Sequence, residues 1–127
     1  MSGKGNWMTD EELKARALVL SGYEVRATAA QAKAAQSYGK LLHLAETVQS
    51  GQARTIAQFL ASTYDSSAFP WDPYDLRGLD VEISDHMLAC LDALRWAKLD
   101  LYKLVPDGAK RVEAAIEHWG MKWPAND

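Results

Sequence analysis

A chain of 127 residues, 24% charged and 48% hydrophobic, fits one globular domain that buries about two thirds of its unfolded surface. Its net charge of −3 argues against nonspecific nucleic-acid binding, which needs a basic face, and is too small for a mimic of DNA. The single cysteine, Cys90, excludes an intramolecular disulfide and any multi-cysteine zinc site.

Residues 1–8 read as a flexible arm of small and polar residues, and residues 9–123 as a single helical domain. No apolar run long enough for a signal peptide or a membrane span follows the start. A cytoplasmic location is therefore expected, with no membrane partner and no cofactor. Thr9-Asp10-Glu11-Glu12 has the spacing of a capping box, with Thr9 as cap and Glu12 at the third helical position. Leu13, Ala17 and Leu20 follow at helical spacing and predict a first helix to about Ser21. Residues 27–49 predict a second one. Its first half is rich in alanine, and Tyr38, Leu41, Leu42, Ala45 and Val48 form an apolar stripe in its second half. Two readings of Gly22 stay open: a stop between two helices, or a weak point inside one long helix. Residues 27–37 have little to bury, and a self-association surface in a homodimer is the expected use for them.

Gly51 reads as a left-handed residue closing that helix. The next helix starts almost at once, with Ile56, Phe59, Leu60 and Thr63 or Tyr64 on one face, so the two are antiparallel neighbours. Residues 80–105 carry the longest apolar period: Ile83, Met87, Cys90 with Leu91, Leu94, Ala97, Leu101 and Leu104. They predict one central helix, ended by Pro106, with Leu94 buried at its middle. Asp107 is expected to cap a last helix whose inner face is Val112, Ile116 and Trp119, closed by Gly120. There is no period-two pattern and no internal repeat. The expected fold is all-α, a four to five helix bundle with a short helical turn at residues 73–77.

The most specific chemistry lies in the corner Phe69-Pro70-Trp71-Asp72-Pro73-Tyr74-Asp75-Leu76. Asp72 suits an N-cap, whose carboxylate accepts orphan N–H groups. Pro73 suits the first helical position, and Asp75 falls at the third, where a negative charge favours the dipole. Gly78 is able to close the turn in a left-handed conformation. Trp71 and Tyr74 are left over, as a lid on the core or as anchors facing solvent. Arg54 is the one cation between Lys40 and Arg77. It either clamps Asp72 or Asp75 with paired hydrogen bonds or stays in solvent. Arg54, Trp71, Asp72, Tyr74 and Asp75 form the candidate interaction edge.

Other candidates carry less. His43 with Glu46, and Glu82 with Asp85 and His86, fall short of a carboxylate–histidine site, which repeats Glu-x-x-His and adds two further carboxylates. No metal is expected. His86 lies one turn before Cys90, where a base would serve a nucleophile, but Cys90 sits on the apolar stripe and reads as core. With no glycine-rich phosphate loop and no serine motif, no catalytic residues and no enzymatic reaction are expected. Lys98, Lys103, Lys110 and Arg111 alternate with Asp100, Asp107, Glu113 and Glu117 as a mixed solvated face.

Gly51-Gln52, Arg54, Ile56-Ala57, Phe59-Leu60, Trp71-Asp72-x-x-Asp75-Leu76, Leu79-Asp80, Ile83, Asp85 and Met87 carry a resemblance. The pattern resembles a family of short proteobacterial proteins, described as a domain of unknown function and often encoded on mobile or conjugative elements. It covers about half the chain, fades through the last helix and leaves most of the first fifty residues outside. Where that family places a tryptophan pair and an asparagine, this chain has Thr63-Tyr64-Asp65. The resemblance implies no activity. It implies a small accessory protein acting through a protein partner, so the expected function is a non-enzymatic interaction module, a regulator or inhibitor. A nucleic-acid-associated regulator is the alternative, and a small enzyme comes third.

Overall fold

The computed structural model describes residues 8–96 and 98–125. The expected N-terminal arm lies outside them except for Met8, as does Ala97 of the expected central stripe. Among the described residues the chain forms α1 (Asp10–Thr47), α2 (Gly51–Tyr64), a 3-10 turn (Pro73–Gly78), α3 (Val81–Leu94), a second 3-10 turn (Leu101–Leu104) and α4 (Gly108–His118). The fold is the expected all-α bundle.

The two readings of Gly22 resolve into one helix of 38 residues. A mid-helix glycine costs about 1 kcal/mol against alanine, too little to break a segment flanked by good helix formers. Thr9 caps α1, its Oγ1 accepting from the Glu12 amide at 3.1 Å, and three acids occupy the first turn. From residue 27 onward one face is buried: Ala27, Ala30, Ala34, Ser37, Tyr38, Leu41, Leu42 and Ala45. Ala27, Ala30 and Ala34 are thus taken up within the chain, while Ala29 and Ala32 on the other side of the helix are exposed. The three buried alanines lie on the side of α1 that meets α3.

Ser50 caps α2, accepting from the Ala53 amide at 3.1 Å, and Gly51 is the first residue of this helix rather than the last of α1. α2 buries Ile56, Phe59 and Leu60 against α1, and Tyr38 Oη meets Thr63 Oγ1 at 2.7 Å. α3 runs antiparallel to α1: Ser37 Oγ lies 2.9 Å from His86 Nδ1, and further back along α1 the Tyr23 ring lies 6.2 Å from that of Trp96.

The central helix is shorter than its periodicity predicts. It ends at Leu94, not near Val105, and Leu94 is 45% exposed. A straight helix to residue 105 would carry Leu101 off along the first half of α1. Instead the chain turns back at Arg95 and Trp96, and Leu101 enters the core. Asp107, expected as a cap, makes no capping bond and takes a left-handed φ of 55°, a conformation Asp tolerates better than most residues. It delivers Gly108 against the preceding turn, where a Cβ would run into the backbone carbonyl of Tyr102. α4 packs on α2. It closes as expected at Gly120, φ 70°, with the Gly120 amide on the Glu117 carbonyl and the Met121 amide on that of Ile116, both at 3.0 Å. That pairing is a Schellman motif. α4 is tied to α1 by Arg111, whose Nε and Nη2 reach the Glu46 carboxylate at 2.9 and 2.7 Å, and by Trp119 Nε1 donating to the Ala45 carbonyl at 2.9 Å.

Two measurements check this packing. Met87, fully buried on α3, should lose about 2–5 kcal/mol in urea unfolding as Met87→Ala, and the half-exposed Leu94 less than about 1 kcal/mol as Leu94→Ala. Gly108→Ala should destabilise by at least about 2 kcal/mol, because backbone must move. Gly22→Ala, in open space on α1, should stabilise by about 0.5–1 kcal/mol.

Candidate functional site

The corner is held from both sides. At its start, the Asp65 carboxylate accepts from the Ser67 and Ala68 amides, both at 3.1 Å, and from Ser67 Oγ at 2.8 Å. These donors hold its pKa below the usual carboxylate range, the Ala68 amide most of all. At its end, Asp72 caps the 3-10 turn, its Oδ1 accepting from the Tyr74 amide at 2.9 Å, with Pro73 in the first position. Gly78 lies inside that turn and is not left-handed. Its successor segment is fixed by the Asp80 amide donating to Gln52 Oε1 at 2.8 Å.

The two aromatics divide the two roles that sequence left open. Trp71 packs against the core, edge-on to Phe59 at 5.0 Å, and its indole N–H is buried without an acceptor among the described residues. Tyr74 is 69% exposed, with the Arg77 guanidinium 5.0 Å from its ring. Asp72 is exposed and Asp75 half-buried. Arg54 joins neither acid: among the described residues no ion pair links them, and its guanidinium lies 5.3 Å from the Trp119 ring of α4. Of the five candidate residues, four share the corner and Arg54 belongs to the neighbouring α2–α4 face.

Beside the corner is a cleft of about 410 Å³, walled by Phe69, Trp71 and Met121 and rimmed by Asp72, Asp75 and Lys122. Met121 and Lys122 are functional candidates that sequence reasoning missed. Trp123 was the available signal. Its ring sits edge-on to Phe69 at 4.7 Å, which folds the C-terminal segment back over the corner.

A larger groove of about 930 Å³ separates α1 from α3. Lys33 and Lys40 stand on its α1 wall, Glu82, Asp85 and Asp92 on its α3 wall. The Ser37–His86 bond crosses it, but Ser37 is only 4% exposed, and the contact satisfies a hydroxyl that burial would otherwise leave unpaired. His86 therefore turns to Ser37. Among the described residues no three His, Cys, Asp or Glu side chains gather to hold a metal ion. Burial pushes the Cys90 thiol up to about 12, opposite to what a nucleophile needs. Cys90 should therefore resist a thiol reagent at pH 8 in the folded protein and react only as fast as the chain opens. Rapid labelling without denaturant would contradict this burial.

No helix among the described residues is long and apolar enough to cross a membrane. No curated protein and no solved structure matches the chain significantly. A family match does exist, and it spans residues 35–120, from the packed half of α1 to the glycine that closes α4. It is thus wider than the sequence pattern alone predicts, taking in the last helix and part of α1. The chain belongs to a family of unknown function, DUF7673.

Proposed function

We propose that this protein is a small non-enzymatic protein-interaction module, a regulator or inhibitor encoded on a bacterial mobile element, and that the corner is its binding edge. One observation carries the reading. Tyr74 stands in solvent on a turn whose backbone is pinned by Asp72 and whose neighbour Trp71 is anchored in the core. An exposed aromatic on a preformed turn loses little entropy on binding, which is the usual make-up of an interface hot spot.

The cleft beside it narrows the partner's chemistry. Two carboxylates against one ammonium, Lys122, on the rim, with Trp71 and Phe69 as walls, suit a lysine or arginine side chain of a partner protein. Its charge would pair with Asp72 and Asp75, and its stem would lie on the aromatic faces. Arg54 extends the edge along the α2–α4 face as a polar rim.

The test is affinity capture from host lysate with the tagged full chain, read by mass spectrometry. Tyr74→Ala and Asp75→Asn leave every hydrogen bond of the turn in place. Each should reduce capture of a specific partner at least about tenfold, the loss typical of a hot-spot residue. Equal recovery by wild type and both variants would remove the corner from the interface.

A further inference from the structure

The first half of α1 meets the rest of the bundle only at its root among the described residues, through Tyr23, Glu24 and Arg26 beside Trp96 and Lys98. Residues 9–26 are all exposed, and at 1.5 Å per residue Asp10 lies about 26 Å from Ala27, the first buried residue. Yet the segment is not a polar helix. Leu13, Leu18, Val19, Leu20, Tyr23 and Val25 are between 46% and 75% exposed. Leu13 and Leu20 continue, at steps of seven, the row Ala27, Ala34 and Leu41 that is buried inside the chain, so they share its face. That face is covered by α3 as far as Trp96, which docks on Tyr23, and beyond it no described residue covers it.

Charge is divided along the same segment. Its first turn carries Asp10, Glu11 and Glu12, and Lys14 and Arg16 follow in the next turn; none of the three acids enters an ion pair among the described residues. At its root, around the end of α3, lie Arg26, Lys33, Arg95 and Lys98. Two of these are matched, Arg95 by Asp92 at 2.7 Å and Lys98 by Glu24 at 2.8 Å. Arg26, over the Trp96 ring at 5.3 Å, and Lys33 enter no ion pair among the described residues.

We propose that this face is the seat of the same segment from a second copy, laid antiparallel. Only that arrangement sets each acidic tip on the other chain's cationic root. A parallel pair would set tip against tip. The second copy's helix would then run in the direction of α3, continuing its line along α1, so that the row from Leu13 to Leu41 is covered throughout: by α3 within the chain and by the partner beyond it. Leu13, Leu20 and Tyr23 would form the apolar seam.

Sedimentation equilibrium of the full chain tests this. At about 100 μM, well above a micromolar dissociation constant, the wild type should have twice the chain mass. Leu13→Glu with Leu20→Glu should raise the dissociation constant at least about a hundredfold, since buried unpaired charges in a seam are strongly unfavourable. Measured well below the wild-type dissociation constant, where both proteins are single chains, thermal unfolding should be unchanged, because both residues are exposed in the single chain. Replacing Asp10, Glu11 and Glu12 by lysine should also split the dimer, and adding Arg26→Glu with Lys33→Glu should restore it. A monomeric wild type overturns the proposal. So does a dimer indifferent to Leu13→Glu with Leu20→Glu, or a tip reversal that is not rescued at the root. None of these outcomes bears on the corner, which the substitutions leave untouched.

Discussion

Every other part of the bundle is placed by the inner face of α1. That face changes character along its length: alanine at 27, 30 and 34, then Tyr38, Leu41 and Leu42. Small side chains let α3 approach closely, and the large ones fill the space where α2 and α4 also converge. α1 packs against each of the other three helices and the second 3-10 turn. Among its polar ties, three side-chain pairs stand out as spaced along the buried half: Ser37 to His86, Tyr38 to Thr63, and Glu46 to Arg111. Each fixes the register of one neighbour, which apolar packing alone specifies poorly. The last of them holds the Glu46 carboxyl below its usual range, through the hydrogen bonds from Arg111.

Much of this was legible in the sequence, because its signals were local. The Thr9 cap, the Asp72-Pro73 turn and the glycine at 120 are fixed by rules acting within four residues, and all three hold. The stripe of α2 and the core half of α1 follow from the 3.6-residue period in the same way. Three local readings failed, Gly51 and Gly78 as left-handed closures and Asp107 as a side-chain cap, but the larger failure was long-range. Residues 94–104 keep helical spacing, yet Leu94 and Leu99 are exposed while Leu101 is buried. Periodicity reports which residues are apolar. It does not report that the chain reverses so that one of them enters the core from another direction. The reversal at Arg95 and Trp96 is followed by a second turn into α4, with Asp107 in a left-handed conformation and Gly108 pressed on Tyr102, a backbone contact that residue spacing does not encode.

The corner shows the same division at smaller scale. Asp72 and Asp75 were readable as turn residues, and the choice between core and solvent for Trp71 and Tyr74 was not. Burial of Trp71 depends on Phe59, twelve positions away, and the returning C-terminal segment brings Met121 to the same cleft. Arg54 went elsewhere for a related reason. Both corner acids are near solvent, where an ion pair is worth little. The Trp119 face offers a guanidinium a cation–π contact without stripping its remaining donors of water.

The two surfaces that the fold leaves unused differ in kind, and the difference bears on how they would act together. The projecting half of α1 is apolar and long, suited to a permanent seam; the corner is small, polar at its rim and rigid, suited to a reversible contact. They stand on different parts of α1, since Trp96 docks at Tyr23 whereas Tyr38 meets Thr63 near the end of α2 that leads into the corner. Residues 23 and 38 are about 22 Å apart along the helix. A dimer joined through the projecting helices would therefore keep both corners open. Two weak corners on one rigid frame bind a partner with two matching sites far more tightly than one does, because the second contact is intramolecular. The benefit is lost where the spacing does not match, so the length of α1 itself would select among partners.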